Sequence, residues 1–212
     1  MPLHAAGQYE HGPADGCSKY CVISYTPTLK ALIDARKAVQ PIRKQDANIL
    51  LAVVARPFRL HALPSATDEA KAIANIVPAL NLTPLGVSLD TSIPLSSIPM
   101  PSAAVAQAVR QSAFTIPATV DAVLDALPQA SIFHVVCHGQ QNIGNALESG
   151  FVMQDSMLTV AQLMSLALPK GLLAVLSACE TAKGDANQPD QAIHLAATML
   201  YAGFKSVIGT MW

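Results

Sequence analysis

The sequence predicts an α/β fold in which a mostly parallel sheet is covered by helices on both faces. Apolar runs typical of strands alternate along the chain with helical patterns. Two of these runs, residues 131–137 and 172–178, lack the polar alternation of half-exposed strands and are typical of parallel strands buried on both faces. Of 212 residues, 51% are hydrophobic and 13% are charged. The chain therefore has enough apolar side chains to fill a sizeable core. This length favours one domain.

The elements before the first central run follow from local patterns. Thr26 is the expected N-cap of a helix that has Pro27 at its first position. After a buried strand at 49–55, a capping box with Ser65 or Thr67 as the cap opens a second helix, with Glu69 nearby. Further predictions are a strand at 21–25, a loop at 84–101 marked by its prolines, and helices at 103–111 and 118–127, the last with Thr119 near its start.

After the first central run, short elements alternate up to the last predicted strand. Thr159 is expected to cap a short helix, and Gly203 to end a longer one. The predicted elements are a short strand at 151–153, the helix after Thr159, a loop at 182–190, a helix at 191–201 and a strand at 206–212.

Each central run is followed by a side chain that can take part in covalent catalysis. His138 follows the first run and Cys179 follows the second. Chemistry in parallel sheets gathers beyond the carboxyl ends of the strands. Since adjacent strands lie roughly 4.8 Å apart, neighbouring strands would bring this imidazole within reach of the thiol. The imidazole could then take the thiol proton to give the reactive thiolate, and later return it to a leaving amine.

The residues around this pair suggest further roles. Gly139 allows close approach of the backbone to a substrate carbonyl, and its N–H with that of Cys179 is a candidate oxyanion hole. Cys137 points to the opposite face of its strand and is expected in the core. His134, deep within the run, is interpreted as a hydrogen-bonded core histidine. Glu180, Asp185 and Trp212 are candidates for a substrate pocket, against the alternatives of a solvated carboxylate, a loop residue and a core anchor.

Composition excludes several function classes. The net charge is −1 and no basic cluster occurs, so nucleic acid is not an expected partner. No apolar stretch approaches the ~20 residues of a membrane span, and the start does not resemble a signal peptide. The four cysteines form neither a disulfide framework nor a zinc site, which predicts a cytoplasmic protein without a metal site. No cofactor is expected.

Three segments resemble motifs of one family, the CHAT domains. Residues 133–139 resemble the H-x-A-C-H-G box of that family, 176–184 the L-S-A-C-E-T-A-x-G box, and 202–212 the A-G-F-x-S-V-I-G-T-x-W strand. Residues 2–7 and 24–29 also match, most closely the versions common in fungi. The resemblance covers nearly the whole chain in the family's order, and its motifs are specific.

The resemblance implies a caspase/separase-like fold, a three-layer sandwich, with His138 and Cys179 as a catalytic dyad. The strand that usually precedes the L-P-L-H-A-A-G motif, the elements that usually follow G-T-x-W, and TPR repeats are absent, so residues 1–212 are interpreted as a partial domain. The expected function is a cysteine endopeptidase acting on a protein or peptide. The alternative is an inactive interaction module that binds TPR-containing regions or other signalling proteins.

Overall fold

The architecture is an α/β sandwich built on a parallel sheet, as the sequence predicts. The structure, a computed structural model, describes residues 7–8, 15–16, 20, 26, 28–37, 42–57, 60–87, 116–142, 144–178 and 195–209. The strands are β1 (Gly7–Gln8), β2 (Asp15–Gly16), β3 (Ile49–Val53), β4 (Leu82–Leu85), β5 (Ile132–Val136), β6 (His138–Gln140), β7 (Gly150–Val152), β8 (Met157–Thr159), β9 (Leu173–Ser177) and β10 (Ser206–Gly209). The α-helices are α1 (Leu29–Lys37), α2 (Pro64–Ile76), α3 (Val120–Ala126), α4 (Val160–Met164) and α5 (Leu195–Ala202).

The central sheet is entirely parallel among the described residues, with the strand order β10-β9-β5-β3-β4. The two runs that end before His138 and Cys179 are β5 and β9, and they are hydrogen-bonded neighbours. A small antiparallel sheet, β6-β7-β8, follows β5 in the chain, and β1 pairs with β2. The prediction that the two central runs are adjacent parallel strands is therefore confirmed.

Side chains alternate between two cores on opposite faces of the sheet, as the pleat requires. The larger core joins β3, β5 and β9 to α3, α4 and α5, with Phe133 and Phe204 among its fully buried side chains. The smaller core joins Leu51, Val53 and Val136 to Ala66 and Ala70 of α2. Helices thus cover both faces, and β5, at the centre of the sheet, contributes to both cores.

The helices are short, and several begin where the sequence predicts. Thr119 caps α3 by accepting a hydrogen bond from the Ala122 N–H. Thr159 caps α4 in a complete capping box with Gln162. The longest described helix is α2, with 13 residues, and no helix in the described ranges has both the length and the hydrophobicity to cross a bilayer.

The sequence predicts a loop over residues 84–101, and this prediction is wrong for Pro84 and Leu85, which belong to β4. Pro84 lies in β4 and pairs with Leu51 of β3. Proline has no N–H to donate to a neighbouring strand, but β4 is an edge strand of the described sheet, where a proline is tolerated. Residues 88–101 lie outside the described residues, as do the predicted strand at 21–25, the helix at 103–111 and the loop at 182–190.

Two predicted helix caps are wrong. The α1 cap is made by Thr28, whose hydroxyl accepts a hydrogen bond from the Ala31 N–H, while the Thr26 hydroxyl donates to the Thr28 carbonyl. The α2 N-cap is Leu63, whose side chain has no acceptor atom; its carbonyl accepts from the Ala66 N–H, and Pro64 at the first helical position has no N–H that needs a partner. Ser65 and Thr67 consequently lie inside α2.

The turn from α5 into β10 depends on glycine at position 203. Gly203 has φ +122°, and a Cβ there would lie 2.8 Å from the Leu168 carbonyl oxygen.

We expect Gly203→Ala to lower the free energy of unfolding by about 1–3 kcal/mol, measured by urea denaturation. At Gly144 a Cβ would meet only Asn142 Oδ1 at 3.5 Å, so Gly144→Ala should change stability by less than about 0.5 kcal/mol. Equal losses in both variants would contradict this account of the turn.

Candidate functional site

The candidate site lies at the carboxyl ends of β5 and β9. In this strand pair, His134 lies opposite Val175 and Val136 lies opposite Ser177. The pairing extends one residue further, because the Cys137 N–H donates to the Ser177 carbonyl at 3.4 Å. The chain bends at Cys137, and His138 then begins β6. His138 is therefore located at the edge of the sheet where the sequence predicts it.

A backbone carbonyl orients the His138 ring. Its Nε2 lies 2.7 Å from the carbonyl oxygen of His61, in the loop that precedes α2. Because a carbonyl oxygen only accepts hydrogen bonds, Nε2 must carry a proton and donate it. In the neutral ring Nδ1 then keeps its lone pair, and this atom can act as a proton acceptor. A base held by a third group is the arrangement that activates nucleophiles in covalent catalysis.

Gly139 follows His138 in β6, opposite Phe151 of β7. Phe151 is fully buried, and Gly139 itself is partly buried. The small sheet thus fixes the backbone directly after the histidine. The role of Gly139 as an oxyanion donor stays a prediction.

The remaining predicted site residues lie outside the described residues: Cys179, Glu180, Asp185 and Trp212. The chain is described up to Ala178, which is buried in the larger core. Ser177, its neighbour, faces the opposite side, as strand alternation requires. The dyad and the substrate pocket therefore stay predictions. The structure describes β5 and β9, the two strands that precede His138 and Cys179.

A cluster of polar side chains lies between α2 and the same two strands. Oε1 of Glu69 lies 2.6 Å from Ser177 Oγ, which donates to it, and 2.7 Å from His134 Nε2. Ser177 Oγ and His134 Nε2 are 3.3 Å apart. The prediction that His134 is a hydrogen-bonded core histidine is confirmed, since its side chain is only 15% exposed. Cys137 is 1% exposed in the larger core, also as predicted.

Three contributions to the site are not predicted from the sequence: those of Glu69, Ser177 and the His61 carbonyl. For Glu69 a signal existed: Ala66, Ala70 and Ile73 surround it at helical spacing and form the apolar side of α2. A carboxylate beside such a stripe is directed towards the sheet, where a polar partner offsets its loss of contact with water. The carbonyl of His61 gives no sequence signal, because every residue has one.

Two described cavities lie away from His138. The larger, of about 330 Å³, lies between α1 and α5, and its wall includes Lys30, Asp34 and Tyr201. The hydrogen bond to Asp34 raises the pKa of Lys30 in this wall. The smaller, of about 200 Å³, lies beyond the carboxyl end of β3 and is lined in part by Arg56 and Gln154. Neither cavity is lined by His138, so neither identifies the substrate cleft.

The fold and the site define an α/β sandwich with a histidine, held in one orientation, at the carboxyl edge of a parallel sheet. The family model of the CHAT domain matches residues 2–212. The chain therefore belongs to the CHAT domain family, a caspase-like family, and the family that the sequence motifs suggest is confirmed. No curated protein matches the chain.

The hydrogen bond to His61 predicts the tautomer of His138. In the neutral ring we expect the proton on Nε2 and none on Nδ1, because only Nε2 faces a carbonyl oxygen. Long-range ¹⁵N–¹H correlation spectra of the labelled protein distinguish the two tautomers of the neutral ring. The signals are assigned by their loss in His138→Gln. A protonated Nδ1 would contradict the orientation described here.

Proposed function

We propose that this protein is a caspase-like cysteine endopeptidase that uses Cys179 as the nucleophile and His138 as the base. The register of β5 and β9 carries the proposal. Val136 lies opposite Ser177, so His138 and Cys179 each follow, by two residues, one of two opposed strand ends. Neighbouring strands are roughly 4.8 Å apart, which suits a thiol and an imidazole in contact.

The orientation of His138 gives independent support. Since Nε2 donates to the His61 carbonyl, Nδ1 is the atom that accepts the thiol proton. The Cys179 thiolate then attacks the carbonyl carbon of the scissile peptide bond, whose oxygen becomes the oxyanion. Backbone N–H groups of Gly139 and Cys179 are the proposed donors to this oxyanion, and each such donor is typically worth ~10²–10³ in rate.

The second half of the reaction returns the enzyme to its starting state. The imidazolium gives its proton to the leaving amine, which departs as the C–N bond breaks and a thioester forms. His138 then takes a proton from water, the resulting hydroxide attacks the thioester carbon, and Cys179 leaves and regains its proton. One water is consumed and one peptide bond is cleaved, with no cofactor required.

The proposed substrate is a protein or a peptide. Glu180 and Asp185 follow Cys179 closely in the sequence, and their carboxylates would favour a basic residue at the cleaved position. Trp212 is the proposed apolar wall of the pocket. The proposed location is the cytoplasm, where cysteines stay reduced, and TPR-containing regions or other signalling proteins are the proposed partners.

Alkylation tests the proposed dyad without a known substrate. Limited iodoacetamide treatment at neutral pH, read residue by residue by mass spectrometry, should label Cys179 first among the four cysteines. His138→Ala should slow labelling of Cys179 by ~10²-fold, because the base that generates the thiolate is lost. Cys137, buried in the core, should stay unlabelled.

Gln140→Ala is the matched control for His138→Ala. Gln140 lies two residues further along β6, and its side chain is exposed, so its loss should leave the labelling of Cys179 unchanged. Equal labelling of all cysteines, or equal rates with and without His138, would contradict the dyad. If either outcome is found, the protein cleaves no member of a peptide library, and Cys179→Ala still binds its partner, the results would favour the interaction module.

A further inference from the structure

The cluster formed by Glu69, His134 and Ser177 connects the three parts of the chain that the proposed dyad requires. Glu69 comes from α2, His134 from β5 and Ser177 from β9. His134 precedes His138 by four residues, and Ser177 precedes Cys179 by two. Both side chains lie on the face of the sheet that α2 covers. The cluster is therefore just below the edge at which the reaction is proposed to occur.

The hydrogen bonds exclude a serine nucleophile in this cluster. A base that activates serine accepts the hydroxyl proton at Nε2 while a carboxylate holds Nδ1. Here Glu69 Oε1 lies 2.7 Å from Nε2 of His134, so that nitrogen carries a proton directed at the carboxylate. The Ser177 hydroxyl donates to the same oxygen at 2.6 Å. His134 and Ser177 both direct their protons at Glu69, so neither can deprotonate the other. The cluster therefore connects α2, β5 and β9.

One carboxylate oxygen thus joins β5 to β9 and both strands to α2. The helix that carries Glu69 follows directly on the loop that supplies the carbonyl bound by His138. His61 lies three residues before Pro64, the first residue of α2, so the position of the helix constrains where this carbonyl can lie. Ala66 and Ala70 hold the same helix on the sheet by apolar contact alone. Glu69 is the polar contact that the structure gives between α2 and these two strand ends.

From this geometry we infer that Glu69 is a positioning residue for the Cys179–His138 dyad, acting through its shared hydrogen bonds with His134 and Ser177. The inference rests on the proposed function and extends it, because it assigns a role to three residues that do not touch the substrate. Catalytic geometry is sensitive to such support: a displacement of about 1 Å from a distant change can cost ~10²-fold in rate.

The test measures the rate of Cys179 alkylation in Glu69 variants of the full chain. Glu69→Ala removes the shared acceptor and should slow labelling by ~10–100-fold. Glu69→Gln keeps an amide oxygen with two lone pairs, which can accept both hydrogen bonds, and should stay within about 3-fold of the unmodified protein. Asp68→Ala is the matched control, because Asp68 directly precedes Glu69 in α2 and is exposed; this change should leave the labelling rate unaltered.

A double-mutant cycle separates positioning from general destabilisation. If Glu69 acts through His138, Glu69→Ala should have little further effect in the His138→Ala background. A loss of the same size in both backgrounds, or in Asp68→Ala, would overturn the inference. So would an unchanged rate in Glu69→Ala. The proposed function fails separately, if His138→Ala itself leaves the labelling rate unchanged.

Ser177→Ala provides the test if Glu69→Ala does not fold. It removes one donor and leaves the bond between Glu69 and His134 in place. We expect labelling of Cys179 to slow by about 3–10-fold, and this loss to disappear in the His138→Ala background. An unchanged rate in Ser177→Ala, with the cooperative unfolding transition preserved, would overturn the inference.

Discussion

The parallel pairing of β5 with β9 is the constraint on which the site depends. It fixes which residue of one strand lies beside which residue of the other, and the pair Val136 and Ser177 sets that register. A slip by one residue would turn His134 into the larger core and Phe133 towards α2, so burial on both faces enforces the register. The position of His138 at the edge of the sheet follows from this pairing.

Polar contacts then add precision that apolar packing does not supply. The carbonyl of His61 selects the orientation of the His138 ring, and Glu69 connects the helix after that loop to both strands. Both contacts approach the sheet from the α2 face. The larger core on the other face, with α3, α4 and α5, holds the strands in place and contributes no side chain to these contacts. The sheet thus divides a stabilising face from the face on which the proposed chemistry depends.

The sequence predicts the central strands well because their signal is local. Residues 131–137 and 172–178 are long apolar runs, and a parallel pair buried on both faces requires such runs. Thr119 and Thr159 were likewise predictable, since capping depends on a few neighbouring residues. Pro84 misleads because its tolerance in β4 depends on the strand being at an edge, which only the tertiary structure reveals.

The candidate site was predictable where it uses side chains at strand ends, and not where it uses the backbone or distant partners. His138 was found because it follows a buried strand. The His61 carbonyl could not be found, and Ser177 meets Glu69 across 108 positions of the chain. Glu69 resembled a capping residue because Ser65 and Thr67 precede it, but its position beside the apolar side of α2 decides its contacts.

Disulfide trapping tests most directly whether positions 138 and 179 meet at one edge of the sheet. A His138→Cys variant, oxidised under mild conditions and digested, reports which cysteines pair by mass spectrometry. The proposed contact between the two side chains requires Cα atoms near the roughly 4.4–6.8 Å that a disulfide spans, so a bond between positions 138 and 179 should dominate. A Cys179 that stays reduced, or that pairs only with Cys17 or Cys21, would contradict the account.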